Sequence, residues 1–257
     1  MAGVITNAMD WHTPLPTMSD TNADPVGPLL YTVGHSILDQ QHFLRILQNG
    51  EIDCLMDVRS HPGSRWPWFH LEQMRQWVPA AGIEYVWEPR LGGWRDEDVD
   101  RQQWARDWGV DVAAYTGRGF PKQRIARRTG PDVDPACPQH GALARPGECS
   151  CPGHQPTWTV VGFWDYAVYM ALPQFIAGLA DLASQVPDRR IAIMCQEGRW
   201  FSCHRSMIAD AMWALHHIDS RHLPSRSKTH SQMLGNRLLR YPSVCWEAWG
   251  RTPPTGE

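Results

Sequence analysis

Four short apolar runs, each ending in a knot of polar residues, constrain this chain more than any other feature. Residues 29–33, 52–56, 83–87 and 191–194 have the length and the apolar, β-branched or aromatic make-up of buried strands. Residues 218–223 read as one more strand, with His222 at its end. Helical patterns fill the intervals. Phe43, Leu44 and Leu47 form an apolar face that Ser36 is expected to cap, with Asp39 favourable to the helix dipole and Gly50 closing the helix at its C′ position. A short helix over 70–81 closes at Gly82. A broken helical stretch runs from about residue 160 to 185, and Pro173 opens its second half. Met207, Ile208, Ala211, Met212 and Leu215 mark a last amphipathic helix. Strands alternating with helices at this spacing predict an α/β fold, a mainly parallel sheet with helices on both faces.

That topology gathers the polar knots. His35 and Ser36, then Asp57, Arg59 and Ser60, then Glu88 and Arg90, then Cys195 and Glu197, each follow a strand. In an open parallel sheet those ends share one side, where ligands bind. The stretch 191–215 is the richest, carrying Cys195, Glu197, Arg199, Cys203, His204 and Arg205 between its strand and its helix. The bland alternative is that Ser36 is only a cap and that Asp57 merely pairs with Arg59 or Arg205.

The remaining segments are expected to lie outside this core. Residues 1–28 are rich in Pro, Asp, Asn and Thr and read as a disordered leader. Between about 94 and 157 the periodicity is lost, in a stretch too long for an ordinary loop, so it reads as an inserted irregular lobe within a domain of residues 29–241. Residues 242–257 read as an irregular tail. No run approaches the roughly 18 apolar residues of a membrane span, and the opening residues lack a signal-peptide pattern, so the cytoplasm is the expected compartment.

A formal net charge of −3 argues against a polycation that coats nucleic acid, so any anion must be held by local arginines. Fourteen tryptophans supply core or a stacking platform. Seven cysteines without an export signal suggest thiols or metal ligands rather than disulfides, with Cys54 a small core residue and Cys245 isolated.

Several motifs in this order resemble the family known as domain of unknown function DUF488. They are TVGHS at 32–36, DVRS at 57–60 with Pro62 and Arg65, LGG at 91–93, GFWDYAVYM at 162–170 and MCQEGRWFSCHR at 194–205. The resemblance implies an α/β domain whose motif residues meet at one end of the sheet. It implies no particular activity. Here Gly-Arg-Trp-Phe-Ser separates the glutamate from the Cys-His-Arg triplet, where the family usually carries a proline, and the insertion is larger than the usual connection.

Three chemistries fit the converging residues. In the leading one, Arg59, Ser60, Arg65, Arg90, Arg199 and Arg205 bind an anion with the helix N-terminus near Cys203, while His35 or His204 and Asp57 or Glu197 work as general acid and base. In the second, Cys195 or Cys203 is a thiolate nucleophile, although the Cys-x5-Arg loop of phosphatases is absent. In the third, Cys195, Cys203 and His204 hold zinc or iron with His35 or Glu197. The function expected is an enzyme, a hydrolase or transferase, acting on a nucleotide or nucleic-acid type of substrate. The alternative is a non-catalytic nucleic-acid or ligand-binding module.

The insertion carries its own cluster, Cys137, His140, Cys149, Cys151 and His154. Four of the five suit a structural tetrahedral Zn site bracing a lobe too polar to build a core. The basic run 122–128, with Trp104 and Trp108 nearby, could grip a nucleic-acid backbone.

Overall fold

The computed structural model describes residues 27–93, 95, 161–225, 228–235, 237–241 and 243–252. Five strands, β1 (Leu29–Gly34), β2 (Cys54–Asp57), β3 (Glu84–Trp87), β4 (Ile191–Cys195) and β5 (Asp219–His222), form one sheet in the order β3-β2-β4-β1-β5. Every pairing is parallel. The strand buried deepest in the sheet is also the most apolar: all five residues of β4 are buried.

Six α-helices accompany the sheet among the described residues. They are α1 (Gln40–Asn49), α2 (Leu71–Ala80), α3 (Val161–Tyr169), α4 (Pro173–Gln185), α5 (Arg205–His216) and α6 (Ser243–Ala248). Alternation along the strands divides them between the two faces. Tyr31, Val33, Leu55, Ala192 and Met194 point to one side and pack with Phe43 and Leu47 of α1 and Met74 and Val78 of α2. Leu30, Cys54, Met56, Ile191 and Ile193 point to the other, against α3, α4 and α5 and the α6 residues Cys245 and Trp246. The helices following β1 and β2 thus cover one face, and the one following β4, which lies between them, covers the other. The chain parts in opposite directions at the tips of β1, β2 and β4, and a crevice opens at such a point.

Three expectations are corrected. Ser36 does not cap α1: Asp39 does, its carboxylate accepting from His42 N at 2.8 Å. The backbone of His35 and Ser36 instead continues bonding to the β4 side, to Cys195 O at 3.2 Å and Gln196 O at 2.8 Å, which delays the helix. The residue in left-handed conformation after α1 is Glu51, not Gly50. Nor is the chain irregular throughout its last residues. Ser243–Ala248 is helical, and Trp246 and Trp249 are buried in the larger core. Pro173 does open α4, at its first turn. The leader, most of the insertion, its five Cys/His residues and the basic run with Trp104 and Trp108 lie outside the described residues.

Candidate active site at the tips of β1, β2 and β4

Parallel register alone sets the site. Gly34 pairs with Cys195 and Asp57 with Met194, so His35, Asp57, Arg59, Cys195 and Glu197 leave neighbouring strands at one level. From Cys195 the chain runs through an exposed turn, Gln196 to Arg199, and a single 3-10 turn, Trp200–Ser202, then re-enters the interior at Cys203. The loop closes over β1 closely: a Cβ on Gly34 would lie 1.9 Å from Glu197 O. Arg205, buried at the start of α5, ties the loop down by donating from Nη2 to that same carbonyl.

At the centre are two thiols, one imidazole and one carboxylate. The Sγ atoms of Cys195 and Cys203 lie 3.7 and 3.6 Å from His204 Nδ1. Glu197 Oε2 accepts from Cys195 Sγ at 2.8 Å and from Cys203 Sγ at 3.4 Å. Cys195, Cys203 and His204 are buried, whereas Glu197 is exposed. Val58 O stands 2.9 Å from His204 Nε2. A carbonyl only accepts, so Nε2 carries the proton and Nδ1 turns its lone pair toward the sulfurs. The ring is seated against Gly93, where any Cβ would come within 2.4 Å of it.

The motifs around this centre hold it in place. Tyr166 OH donates to Leu91 O and Tyr169 OH to Arg90 O, both at 2.8 Å, so α3 fixes the 91–93 turn under the imidazole. Tyr166 also meets the His204 ring edge-on at 5.2 Å.

The thiols differ in acidity. The hydrogen bond to Cys203, together with burial and the charge of Glu197, pushes the Cys195 thiol well up. Burial pushes Cys203 in the same direction, but the bond from Cys195 and the Arg205 guanidinium oppose it and hold this thiol well below its ordinary range. Arg205 Nε donates to Cys203 Sγ at 3.3 Å. Of the two candidate nucleophiles, Cys203 is therefore the more acidic.

The other expected residues divide. Asp57 is fully buried, and its carboxylate accepts from Arg59 N, Nε and Nη2 and from Tyr85 OH. Three of these four bonds fix Arg59, whose Nη1 also donates to Gly63 O at 3.1 Å. His35 is buried and stacked on Phe69 at 4.1 Å. Burial, and secondarily the charge of Arg59, lower its pKa to about 4. Its Nε2 has no hydrogen-bond partner among the described residues. Ser60 is half-buried against Gly92. Arg90 is committed to Glu88 at 2.6 Å and Asp181 at 2.8 Å. Arg65 and Arg199 are exposed, and Arg65 lies over the Trp66 ring at 5.5 Å.

A family model for the domain of unknown function DUF488 matches residues 39–118 and 145–212. The chain belongs to the DUF488 family. The matched residues include DVRS, LGG, GFWDYAVYM and the segment through Cys203-His204-Arg205, so the family's sequence and this cluster coincide. Neither the comparison with curated proteins nor that with solved structures gives a match.

Sequence reasoning missed one further assembly. Asp210, buried in α5, accepts from His230 Nε2 at 2.7 Å, Arg237 Nη2 at 2.9 Å and Tyr241 OH at 2.7 Å. His230 Nδ1 meets His222 Nε2 at 3.0 Å, and His222 stacks on Trp200 at 4.0 Å, within 2° of parallel. A charged residue on the apolar side of α5 was the available signal.

Proposed function

We propose that this DUF488 protein is an enzyme whose reactive centre is the Cys195–Cys203–Glu197–His204 cluster, acting on an anionic substrate of nucleotide type. The observation that carries the reading is the mutual approach of two thiols, an imidazole lone pair and a carboxylate at the tips of parallel strands. A purely structural core has no use for such a set, since sulfur and carboxylate in close contact stabilise little compared with packed apolar side chains. Glu197 is the member facing solvent and is placed to exchange a proton with a bound molecule. Asp57 holds Arg59 rather than acting as a base, and Arg205 holds the loop.

The anionic preference rests on the rim. Arg199, in the turn after β4, and Arg65, in the loop after β2, are exposed, and neither has an ion pair among the described residues. Trp66 and Trp68 stack on each other at 5.4 Å in the loop after β2, and Trp68 Nε1 ties that loop to Leu38 O. Guanidinium beside an aromatic plane suits a phosphate beside a base.

Turnover of a panel of nucleoside phosphates and short oligonucleotides tests the reading. Activity should vanish in Cys195→Ser, Cys203→Ser and Glu197→Gln, and Arg199→Ala should raise KM with little change in kcat. Turnover that survives all three centre variants would overturn it.

A further inference from the structure

We infer that Cys195, Cys203 and His204 are ligands of a divalent zinc-type metal ion, with Glu197 as an exchangeable fourth ligand. Three lines of geometry carry this. The first is the set of distances between donor atoms. Zinc holds sulfur at about 2.3 Å and nitrogen or oxygen at about 2.0–2.2 Å, so the sulfur–nitrogen and sulfur–oxygen edges of a tetrahedral S2NO site are each about 3.6 Å. The two sulfur–nitrogen edges are 3.7 and 3.6 Å, and the Cys203 Sγ–Glu197 Oε2 edge is 3.4 Å. The Cys195 Sγ–Glu197 Oε2 contact, 2.8 Å, is shorter. Glu197 Oε2 stands outside the group of donor atoms that lie within 4.8 Å of one another, so this exposed side chain swings away from Cys195 and toward His204 to take the fourth position.

The second line is the support behind each donor. Val58 O fixes the His204 tautomer that offers Nδ1, the arrangement by which metal-bound imidazoles are oriented. Arg205 Nε donates to Cys203 Sγ, which favours the charged form a metal requires. The third is the distribution of exposure. Three donors are buried, and their ligand atoms lie within 4.8 Å of one another, while the fourth comes from the solvent-facing turn. Three firm ligands and one open position are what distinguish catalytic from structural zinc. The inference concerns the centre of the proposed enzyme but stands independently of what its substrate is.

Cobalt(II) uptake by the full-length chain tests it. The insertion carries cysteines of its own, so the background variant is Cys149→Ser with Cys151→Ser. On that background one equivalent of Co(II) should give a near-ultraviolet thiolate-to-cobalt band together with visible ligand-field bands. Cys203→Ser should remove about half of the thiolate band and Cys195→Ser with Cys203→Ser all of it. Should the double serine variant fail to fold, Glu197→Gln decides. It should keep the thiolate band, shift the ligand-field bands and weaken zinc binding about tenfold or more. A folded background protein that takes up no cobalt, a band unchanged by the cysteine changes, or a Glu197→Gln spectrum identical to its parent would each overturn the inference. Turnover by metal-free protein would do so too while leaving the proposed activity standing. Metal-loaded protein that turns over none of the substrates would instead remove the proposed activity and leave the metal site in place.

Discussion

Helix α5 carries two buried polar clusters, and they are built on opposite principles. Asp210 receives hydrogen bonds from a histidine, an arginine and a tyrosine, all at 2.7–3.0 Å. Thr32 Oγ1, His222, His230 and Asp210 then form a continuous chain in which each ring nitrogen finds one partner. Such a network is satisfied from within and specifies one arrangement. The cluster at the start of α5 is instead made of sulfur, imidazole and carboxylate, and one member faces solvent. The closed cluster braces the open one: His222 stacks on Trp200, and the Arg237 guanidinium lies 5.8 Å from the same ring, so the loop bearing Glu197 rests on the Asp210 network. Polarity held in the core is therefore of two kinds, and satisfaction of its partners tells them apart.

Breaking the closed cluster should cost most. Asp210→Ala takes the carboxylate away from Arg237 and His230, both buried or nearly so, and should lower stability by about 3–5 kcal/mol, read as a fall in the urea midpoint at unchanged slope. If the loss is below about 1 kcal/mol, the network is not the brace described here.

The next effect is acid sensitivity. His35 is held neutral with a pKa of about 4, against 6.5 when exposed. Below pH 6.5 the unfolded chain binds the proton that the folded one refuses, so stability should fall from pH 6.5 toward 4. The contribution is on the order of 2–3 kcal/mol. Asp210, whose carboxyl is kept low by Arg237 and His230 against the opposing effect of burial, adds a loss of the same sign in the lower carboxylate range. His35→Phe keeps the stack on Phe69 and should flatten the slope between pH 6.5 and 4 in urea titrations. An unchanged slope would assign it elsewhere.

Crowding the open cluster should cost less. A methyl at Gly34 collides with Glu197 O, a backbone atom, and the loop must shift. Gly34→Ala should lose about 1–3 kcal/mol, and Glu197 should be displaced from both thiols in a crystal structure of the variant. The smallest expected effect sharpens the contrast most. Glu197→Gln lies on the exposed turn and should change stability by no more than about 0.5 kcal/mol while altering the chemistry of the centre. A large stability loss there would make the open cluster structural after all.

The strands were legible because each is apolar over its own length and is bounded by polar residues. The convergence of His35, Asp57, Arg59, Cys195 and Glu197 followed from parallel topology alone. What escaped depends on tertiary partners. Asp39 rather than Ser36 starts α1 because backbone bonds to the β4 loop use up the residues before it. Helix α6 has only six residues, too few to be helical by propensity, and is held by burial of Cys245 and Trp246. Arg90 looked like an anion ligand, yet its partner Asp181 is 91 positions away. Arg59, Arg90 and Arg205 all have partners inside the protein, which no spacing along the chain reveals.

The two tyrosine hydroxyls that reach Leu91 O and Arg90 O have a consequence for how this gene can vary. They fasten the chain on either side of the long segment between β3 and α3, so the domain sees two neighbouring ends rather than a tether. Doubling the length of a flexible loop between fixed ends costs only about 0.6 kcal/mol. A change of length between those two anchors should therefore cost the framework little. The chain departs from Gly93, which is packed against the His204 ring, so that end of the segment begins beside the Cys195–Cys203–His204 cluster.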